Sequence, residues 1–443
     1  MYIQRDAEDS LSRWKNSSIR KPLILKGARQ VGKTFLLKWL GTHQFTDYAY
    51  FNFDEKPELK QFFEETKDVT RIINNLSIIH RKQINENTLI IFDEVQECIP
   101  ALNSLKYFSE TLPEQAIACA GSLLGITLGK EASFPVGKVT FAEIYPISFM
   151  EFLRAADATL FDYLMNHPLN ENIPDIFFNP IRDYLKKYFI TGGLPEAVLA
   201  LLEHKDLEFV LTALKDIITT YKFDFSKHPV MKDVAKIAHI WDSIPSQLGR
   251  ENKKFIYQLI KKGARAREYE DAIKWLEQAG LVCKIHRCNE PRLPLIAYDD
   301  LHSFKLYLFD VGVLRQLSNL DPGAFVDKNR LFTEFKGALT ENYILQSLRR
   351  QLDVIPRYWT SQNEAEVDFI IQYKNKIIPA EVKSDENVRS KSLAFYNERF
   401  NPDIRIRYSM KNLTYDDNLI NIPLFMADMT NIILDKYFEN QIN

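Results

Sequence analysis

Over the first 150 residues, short unbroken apolar runs alternate with amphipathic stretches. The runs are 22–27 (PLILKG), 48–55 (YAYFNFDE), 88–94 (TLIIFDE), 116–122 (AIACAGS) and 139–146 (VTFAEIYP). Helix-like segments lie between most of them, among them KTFLLKWLG and a long stretch from Glu58 to His80. Apolar runs bounded by turns and separated by helices predict a parallel sheet covered on both faces.

Beyond residue 147 the period changes. Helical patterning without a clear strand runs to about residue 225, through SFMEFLRAA, PIRDYLKKYFITGGLPEAVLALLEH and LTALKDIITTYKF. From about 230 to 317 helices are followed by short strands: EYEDAIKWLEQAGLVCKIHRC ends a helix at Gly280 and enters a strand, and LHSFKLYLFD supplies another. Helices followed by a β-ribbon suggest a winged-helix-like module. A mixed α/β segment completes the chain, and no internal repeat or low-complexity tract interrupts it. The expected division is 1–150, 151–228, 229–322 and 323–443.

Composition narrows this picture. The 443 residues imply about two to four domains, and 46% hydrophobic with 26% charged residues supplies several cores and leaves little room for long disorder. A net charge of −2 gives no global positive field, so any contact with nucleic acid must come from a local basic face. The N-terminal stretch carries charges where a signal peptide needs an apolar core, and no apolar run spans a bilayer. The expectation is a soluble cytoplasmic protein with no membrane partner. Cys98, Cys119, Cys283 and Cys288 are too scattered for a disulfide framework, and Cys283, His286 and Cys288 lack the second ligand pair a structural zinc needs.

The stretch Gly27-Ala28-Arg29-Gln30-Val31-Gly32-Lys33-Thr34 satisfies GxxxxGK[ST] after an apolar strand and before a helix that opens with Phe35. Glycines let the backbone N–H groups turn inward on a phosphate. Lys33 supplies charge for the β- and γ-phosphates, the Thr34 hydroxyl is a Mg²⁺ ligand, and the helix directs its positive end at the same anion. Downstream, an apolar strand ends in Asp93-Glu94. Asp93 is the expected Mg²⁺ acid, on a strand taken to lie beside the P-loop strand, and Glu94 the expected general base. Ser122, after the next strand, is the candidate sensor of the γ-phosphate or lytic water. The absence of an NKxD-type element favours ATP over GTP.

A second constellation lies near the C-terminus: Glu341 in a helical run, then Glu366-Val-Asp368, then Glu381-Val-Lys383. With Lys374 and Asn375 as a hairpin turn, the left-handed conformation falling to Asn375, Tyr373 pairs with Lys376 and Asp368 lies opposite Glu381, with Lys383 on the same face. Paired acids can hold Mg²⁺ or Mn²⁺ while a lysine orients the attacking water. This looks like the PD-(D/E)xK nuclease core, with Glu341, Asp368 and Glu381 as metal acids and Lys383 as the catalytic lysine, although Val367 stands where proline precedes the aspartate. Two other readings remain: a nuclease-like fold kept for binding, and a surface hairpin in which Glu366 merely pairs with Lys383. Lys391, between Ser390 and Ser392, could touch phosphate but reads more simply as solvated surface. So do Lys261, Lys262, Arg265 and Arg267.

GARQVGKT, LIIFDEVQ, CAGS, AEIYPISFMEFL, ITGGLPEAV and KLYLFDVGVL, together with the C-terminal acids, resemble prokaryotic AAA-type P-loop ATPases that carry a C-terminal nuclease-like domain of unknown function. The resemblance implies an α/β fold: a parallel P-loop sheet with its P-loop strand next to the sensor strand, a helical lid, a winged-helix-like connector and a mixed α/β restriction-endonuclease-like domain. Ala28 replaces a frequent proline, and Lys138 a frequent arginine that could stabilise transferring phosphate through a bidentate fork. Two functions follow as expectations. One is an ATP-hydrolysing protein whose tail cuts or grips DNA. The other is a nucleotide switch whose tail docks a protein, a second copy of the chain, or DNA without cleavage.

Overall fold

The computed structural model describes residues 1–121, 137–226, 231–325, 333–361, 365–384 and 390–442. The chain forms two compact units, one of residues 4–146 with 278–281, the other of residues 1–3, 147–277 and 282–443.

In the first unit α1 (Ala7–Lys15) precedes β1 (Leu23–Lys26), α2 (Lys33–Gln44), β2 (Asp47–Asn52), α3 (Val69–His80), β3 (Thr88–Asp93), α4 (Ile99–Thr111), β4 (Ile117–Ala120) and β5 (Thr140–Glu143). All five expected runs are strands, in the order β2-β3-β4-β1-β5. All neighbours are parallel. The P-loop strand β1 is therefore next to β4, as the resemblance implies. β3, expected beside β1, is separated from it by β4. β3 is buried along its whole length, which explains why it reads as a continuous apolar run and does not alternate. On one face Ile24, Phe51, Phe92 and Cys119 pack with Ile72 and Leu76 of α3 and Leu102 and Leu105 of α4. Each such side chain contributes about 1.5–3 kcal/mol by leaving water.

The expected long helix over 58–80 is broken. Short turns cover Pro57–Lys60 and Gln61–Glu64, and α3 starts afresh at Val69. Asp68 causes the restart: its carboxylate accepts from the N–H groups of Thr70 and Arg71, a cap that satisfies the first donors of a new helix.

The second unit opens with helices α5 (Phe149–Ala156), α6 (Ala158–Asn166), α7 (Asp175–Thr191), α8 (Pro195–His204), α9 (Leu207–Phe225), α10 (Met231–Leu248) and α11 (Ala266–Gln278). β6 (Val282–Cys288) and β7 (Asp299–Leu308) follow, then α12 (Val311–Leu317), α13 (Thr333–Gln351), β8 (Arg357–Thr360), β9 (Glu366–Tyr373), β10 (Lys376–Val382), α14 (Lys391–Phe400), β11 (Arg405–Ser409), β12 (Thr414–Asp416), β13 (Leu419–Pro423) and α15 (Thr430–Ile442). The helices and antiparallel ribbon expected of a winged-helix-like module are present, but the ribbon is part of an eight-stranded mixed sheet, β12-β13-β11-β10-β9-β8-β6-β7. Arg357 of β8 ties the sheet to β7 by a two-pronged pair with Asp299, both bonds 2.8 Å.

The β9–β10 hairpin has the register counted from the sequence, Tyr373 opposite Lys376 and so on to Phe369 opposite Ala380. The left-handed residue of the turn is Lys374 (φ 51°), not Asn375. The first central residue of a primed two-residue turn takes positive φ, and the Lys374 ammonium is anchored 2.6 Å from Asp435.

ITGG and LFDVG, prominent in the sequence, meet in a buried junction. Asp310 caps α12 by accepting from Val313 N–H at 3.0 Å and also accepts from Gly193 N–H at 2.7 Å. A Cβ on Gly312 would stand 2.3 Å from the Thr191 carbonyl, so only glycine permits this approach. Burial pushes the Asp310 carboxyl up to about 6, against the pull of those N–H donors. The folded value lies above the unfolded one, so stability from this group is full below about pH 4 and is lost as pH rises through 6, a change of about 3 kcal/mol. Urea unfolding of wild type and Asp310→Asn between pH 4 and 7 should show wild type losing stability relative to the variant across that window. A constant difference would remove Asp310 as the titrating group.

Candidate functional site

The loop between β1 and α2 is shaped by three left-handed residues: Gly27 (φ 138°), Gln30 (φ 63°) and Gly32 (φ 95°). Gly27 is also forced by space, because a Cβ there would lie 2.1 Å from the Ile144 carbonyl. Ala28 and Val31 are buried, Arg29, Gln30 and Thr34 half-buried, and Phe35 exposed at the start of α2. Gly280, in the short segment that belongs to this unit, is left-handed and lies against Ala28. Lys33 is buried, and its ammonium donates to the carbonyls of Gly27 (2.9 Å) and Ala28 (2.7 Å). Burial pushes its pKa down to about 8; Glu94 and Asp93 oppose the shift and Arg29 adds to it.

Asp93, at the end of β3, meets the loop. One carboxylate oxygen accepts from the Thr34 hydroxyl at 2.8 Å and from the Tyr50 hydroxyl at 2.8 Å; the other accepts from Glu94 N–H at 3.1 Å. A hydroxyl and a buried carboxylate held together at the mouth of an anion-binding loop are oxygen ligands of the kind Mg²⁺ takes, so these residues fit the ion. Glu94 is left-handed (φ 47°), a conformation that costs a non-glycine residue on the order of 1 kcal/mol or more. Its carboxylate accepts from the Gln96 amide. Ser122 lies outside the described residues. Lys138 is not at this site: it precedes β5, whose parallel register puts Thr140 beside Leu23 and Glu143 beside Lys26, so Lys138 is at the opposite end of β1 from the loop. It pairs with Glu110 at 3.0 Å.

Two contributors were missed in the sequence. Tyr50 reaches Asp93 from β2, and its pKa is raised by burial and by that hydrogen bond. Arg5 is buried, and its guanidinium donates to the carbonyls of Val31 (3.0 Å) and Tyr145 (2.7 Å), holding the loop to the chain after β5. A basic residue just before an amphipathic helix gives no local sign of such a role. The alternation of Tyr50 and Asn52 along a strand ending level with Asp93 does carry a signal.

The C-terminal residues also converge, with different partners from those expected. Glu341 of α13 is buried; it pairs with Lys253 and accepts from the Tyr307 hydroxyl at 3.0 Å. Glu366 pairs with Lys305 of β7, not with Lys383. Glu381 pairs with Lys383 and accepts from the Ser390 hydroxyl. Asp368 accepts from Val382 N–H at 2.8 Å. Burial, with Glu341 and Glu381 nearby, pushes Asp368 up to about 8 against the pull of Lys305 and Lys253. For Glu341 burial acts upward, but the two lysines overcome it and hold the group down. Ser390 also caps α14 through Leu393 N–H. It is thus occupied on the sheet side, while Lys391 is exposed, as are Lys261, Lys262, Arg265 and Arg267.

Mg²⁺ or Mn²⁺ does not fit this second cluster as it stands. Three of the acids already face an ammonium, and among the described residues no group of three or more His, Cys, Asp or Glu side chains could hold a metal ion. The same holds for Cys283, His286 and Cys288; Cys288 is packed in a core with Trp359 and Tyr396. Lys253, Lys305 and Tyr307 were not singled out in the sequence. A lysine inside the apolar run SFKLYLF was the available sign.

Residues 19–153 match the family model described as an AAA domain. Residues 182–324 match a Domain of unknown function (DUF8612), and residues 336–425 a Domain of unknown function (DUF4143). The sheet order, the loop and the first match agree on an AAA-type P-loop domain in the first third of the chain. No curated protein matches. Among solved structures, the Walker-type ATPase PABY2304 of Pyrococcus abyssi is similar at a TM-score of 0.45 and 14% identity, over 71% of this chain and 96% of that one. The Aeropyrum pernix Orc1 protein in complex with DNA is similar at 0.29 and 15%, over 74% and 94%. The Thermotoga maritima RuvB Holliday junction branch migration motor is similar at 0.26 and 13%, over 66% and 91%.

Arg5→Ala should loosen the loop without touching its own residues. Removing a charged donor from one buried and one part-buried carbonyl corresponds to roughly ten- to hundredfold faster exchange of the loop amides. Hydrogen–deuterium exchange of the peptide covering residues 27–34 measures this, and unchanged protection would show that Arg5 does not hold the loop.

Proposed function

We propose that this chain binds ATP with Mg²⁺ and hydrolyses it. The observation that carries the reading is the 2.8 Å contact between the Thr34 hydroxyl and the Asp93 carboxylate at the mouth of a loop that also buries Lys33. In this reading residues 27–35 cradle the phosphates with backbone N–H groups, and Lys33 exchanges its two carbonyl partners for phosphate oxygens. Thr34 and Asp93 hold Mg²⁺, which when bound neutralises charge on the β- and γ-phosphates. Glu94 polarises the attacking water, and Ser122 is the proposed polar sensor on sequence grounds.

For the C-terminal sheet we infer a DNA-docking module on a nuclease-like core, without cleavage. The succession α13, β8, β9, β10, α14, β11, with Glu341, Asp368, Glu381 and Lys383 on it, supports the nuclease-like core. The lysines already paired with its acids support docking over cutting. Exposed Lys261, Lys262, Arg265 and Arg267 supply a local basic face on a chain of near-neutral charge. If duplex DNA neither binds in low salt, where phosphate contacts are strongest, nor alters ATP turnover, a protein partner or a second copy of the chain replaces DNA.

Lys33→Ala should abolish ATP binding measured by calorimetry. Glu94→Gln should keep binding and lose turnover by about 10²–10⁴-fold. Equal loss of both in Glu94→Gln would remove it from the chemistry.

The depressed Lys33 pKa gives a further expectation. Phosphate binding requires the charged form, so above about pH 8 the free protein must take up a proton on binding. ATP should bind about tenfold more weakly at pH 9 than below pH 8. Calorimetry in two buffers of different ionisation heat reads the proton uptake, and a flat affinity in wild type would show that Lys33 is not neutral there.

A further inference from the structure

The acids of the second unit's cluster come from three elements of the fold. Glu341 comes from α13, Glu366 and Asp368 from β9, and Glu381 from β10. The cations come from elsewhere: Lys253 from the chain after α10 and Lys305 from β7. Lys305 is wholly buried, stands against Glu366 and lies 4.8 Å from the centre of the Tyr358 ring. Lys253 retains only 15% of its side-chain exposure and stands against Glu341. An ammonium with no exposure is tolerated where a carboxylate or hydrogen bonds replace its hydration. Lys305 would have to leave a fully buried position to part from the acids.

We propose that Lys253 and Lys305 occupy the cation position of this acid cluster, so that the C-terminal site is neutralised from within and takes no divalent metal. Two ammonium groups carry the same charge as one Mg²⁺ or Mn²⁺ ion. Lys253 contacts Glu341, an acid that a nuclease-like core would offer to that ion, and Lys305 contacts Glu366 with Glu341 and Asp368 in electrostatic reach. A metal entering would have to displace a buried lysine from a carboxylate and leave it unpaired, and that cost is of the same kind that forbids burying a lone charge. This extends the docking reading of the C-terminal core and rests on it.

The test is Mn²⁺ binding to the full chain, followed by loss of the free-ion electron paramagnetic resonance signal. All proteins carry Asp93→Asn to remove the first-unit acid. The chain with both lysines should bind no Mn²⁺ that depends on Asp368. Lys253→Met with Lys305→Met should gain a site at least tenfold tighter than any in the parent, and adding Asp368→Asn should abolish it. The lysine-free variant should also melt several degrees higher with Mn²⁺ than without.

Asp368-dependent binding in the parent would overturn the proposal, and so would a folded lysine-free variant that gains none. Should the double variant fail to fold with or without Mn²⁺, Lys253→Gln alone decides: it must bind Mn²⁺ more tightly than the parent, and no gain overturns the proposal. Supercoiled plasmid incubated with the parent in Mn²⁺ separates the two levels. Binding without relaxation sinks the internal-cation proposal alone, whereas relaxation lost in Asp368→Asn sinks the docking reading with it.

Discussion

A charge taken out of water must find a partner, and this constraint arranges both halves of the molecule. An ionised side chain in a low-dielectric interior costs several kcal/mol unless hydrogen bonds or an opposite charge replace its hydration. Lys33 meets the requirement with two carbonyls of its own loop, Asp93 with two hydroxyls and an N–H, and Asp310 with backbone donors from two glycine-rich segments. Lys305 and Glu366 meet it with each other. Each solution fixes a piece of backbone, because the partners must come from specific places in the chain.

The kind of partner separates the two clusters. Carbonyl oxygens are neutral acceptors, so the hydrogen bonds that hold Lys33 are weaker than those it can make to an anion. In the proposed reading an arriving phosphate outcompetes the loop, and the same lysine changes from internal strut to ligand contact. Lys253 and Lys305 are held by carboxylates. A neutral visitor offers them less than the carboxylates do, and in the proposed reading a cation must first dislodge them. Similar inventories of acids and lysines thus give one cluster whose lysine is held by neutral carbonyls and another whose lysines are held by carboxylates.

Legibility in the sequence followed range. The five strands of the first sheet, the P-loop and the β9–β10 register were all readable, because each depends on residues within about a dozen positions: apolar runs, a glycine pair, a two-residue turn. The interruption at Asp68 was readable in principle, since an acid two residues before a helix donor is a local cap, but the amphipathic stretch around it obscured the break. Lys138 stands away from the loop for a geometric reason. In a parallel sheet only the C-terminal ends of the strands face the loop, and a residue before β5 is at the other end. Arg5 and Lys253 left no periodic trace. Lys253 is 88 residues from the glutamate it neutralises, and nothing in the neighbourhood of either residue records the encounter.

That last distance bears on how the second unit is organised. Division of the sequence by composition puts a winged-helix-like connector over 229–322 and a nuclease-like segment over 323–443. Yet the first of these supplies Lys253, Lys305 and Tyr307 to acids of the second, the ribbon β6–β7 continues its sheet, and Asp299 grips Arg357 of β8. Asn342 of α13 adds both hydrogen bonds to Leu308, covering the edge of β7 where a further strand would otherwise pair. Separating the two segments would part Glu341 from Lys253 and Glu366 from Lys305. The connector and the C-terminal sheet are therefore one cooperative body whose charges balance only when both are present.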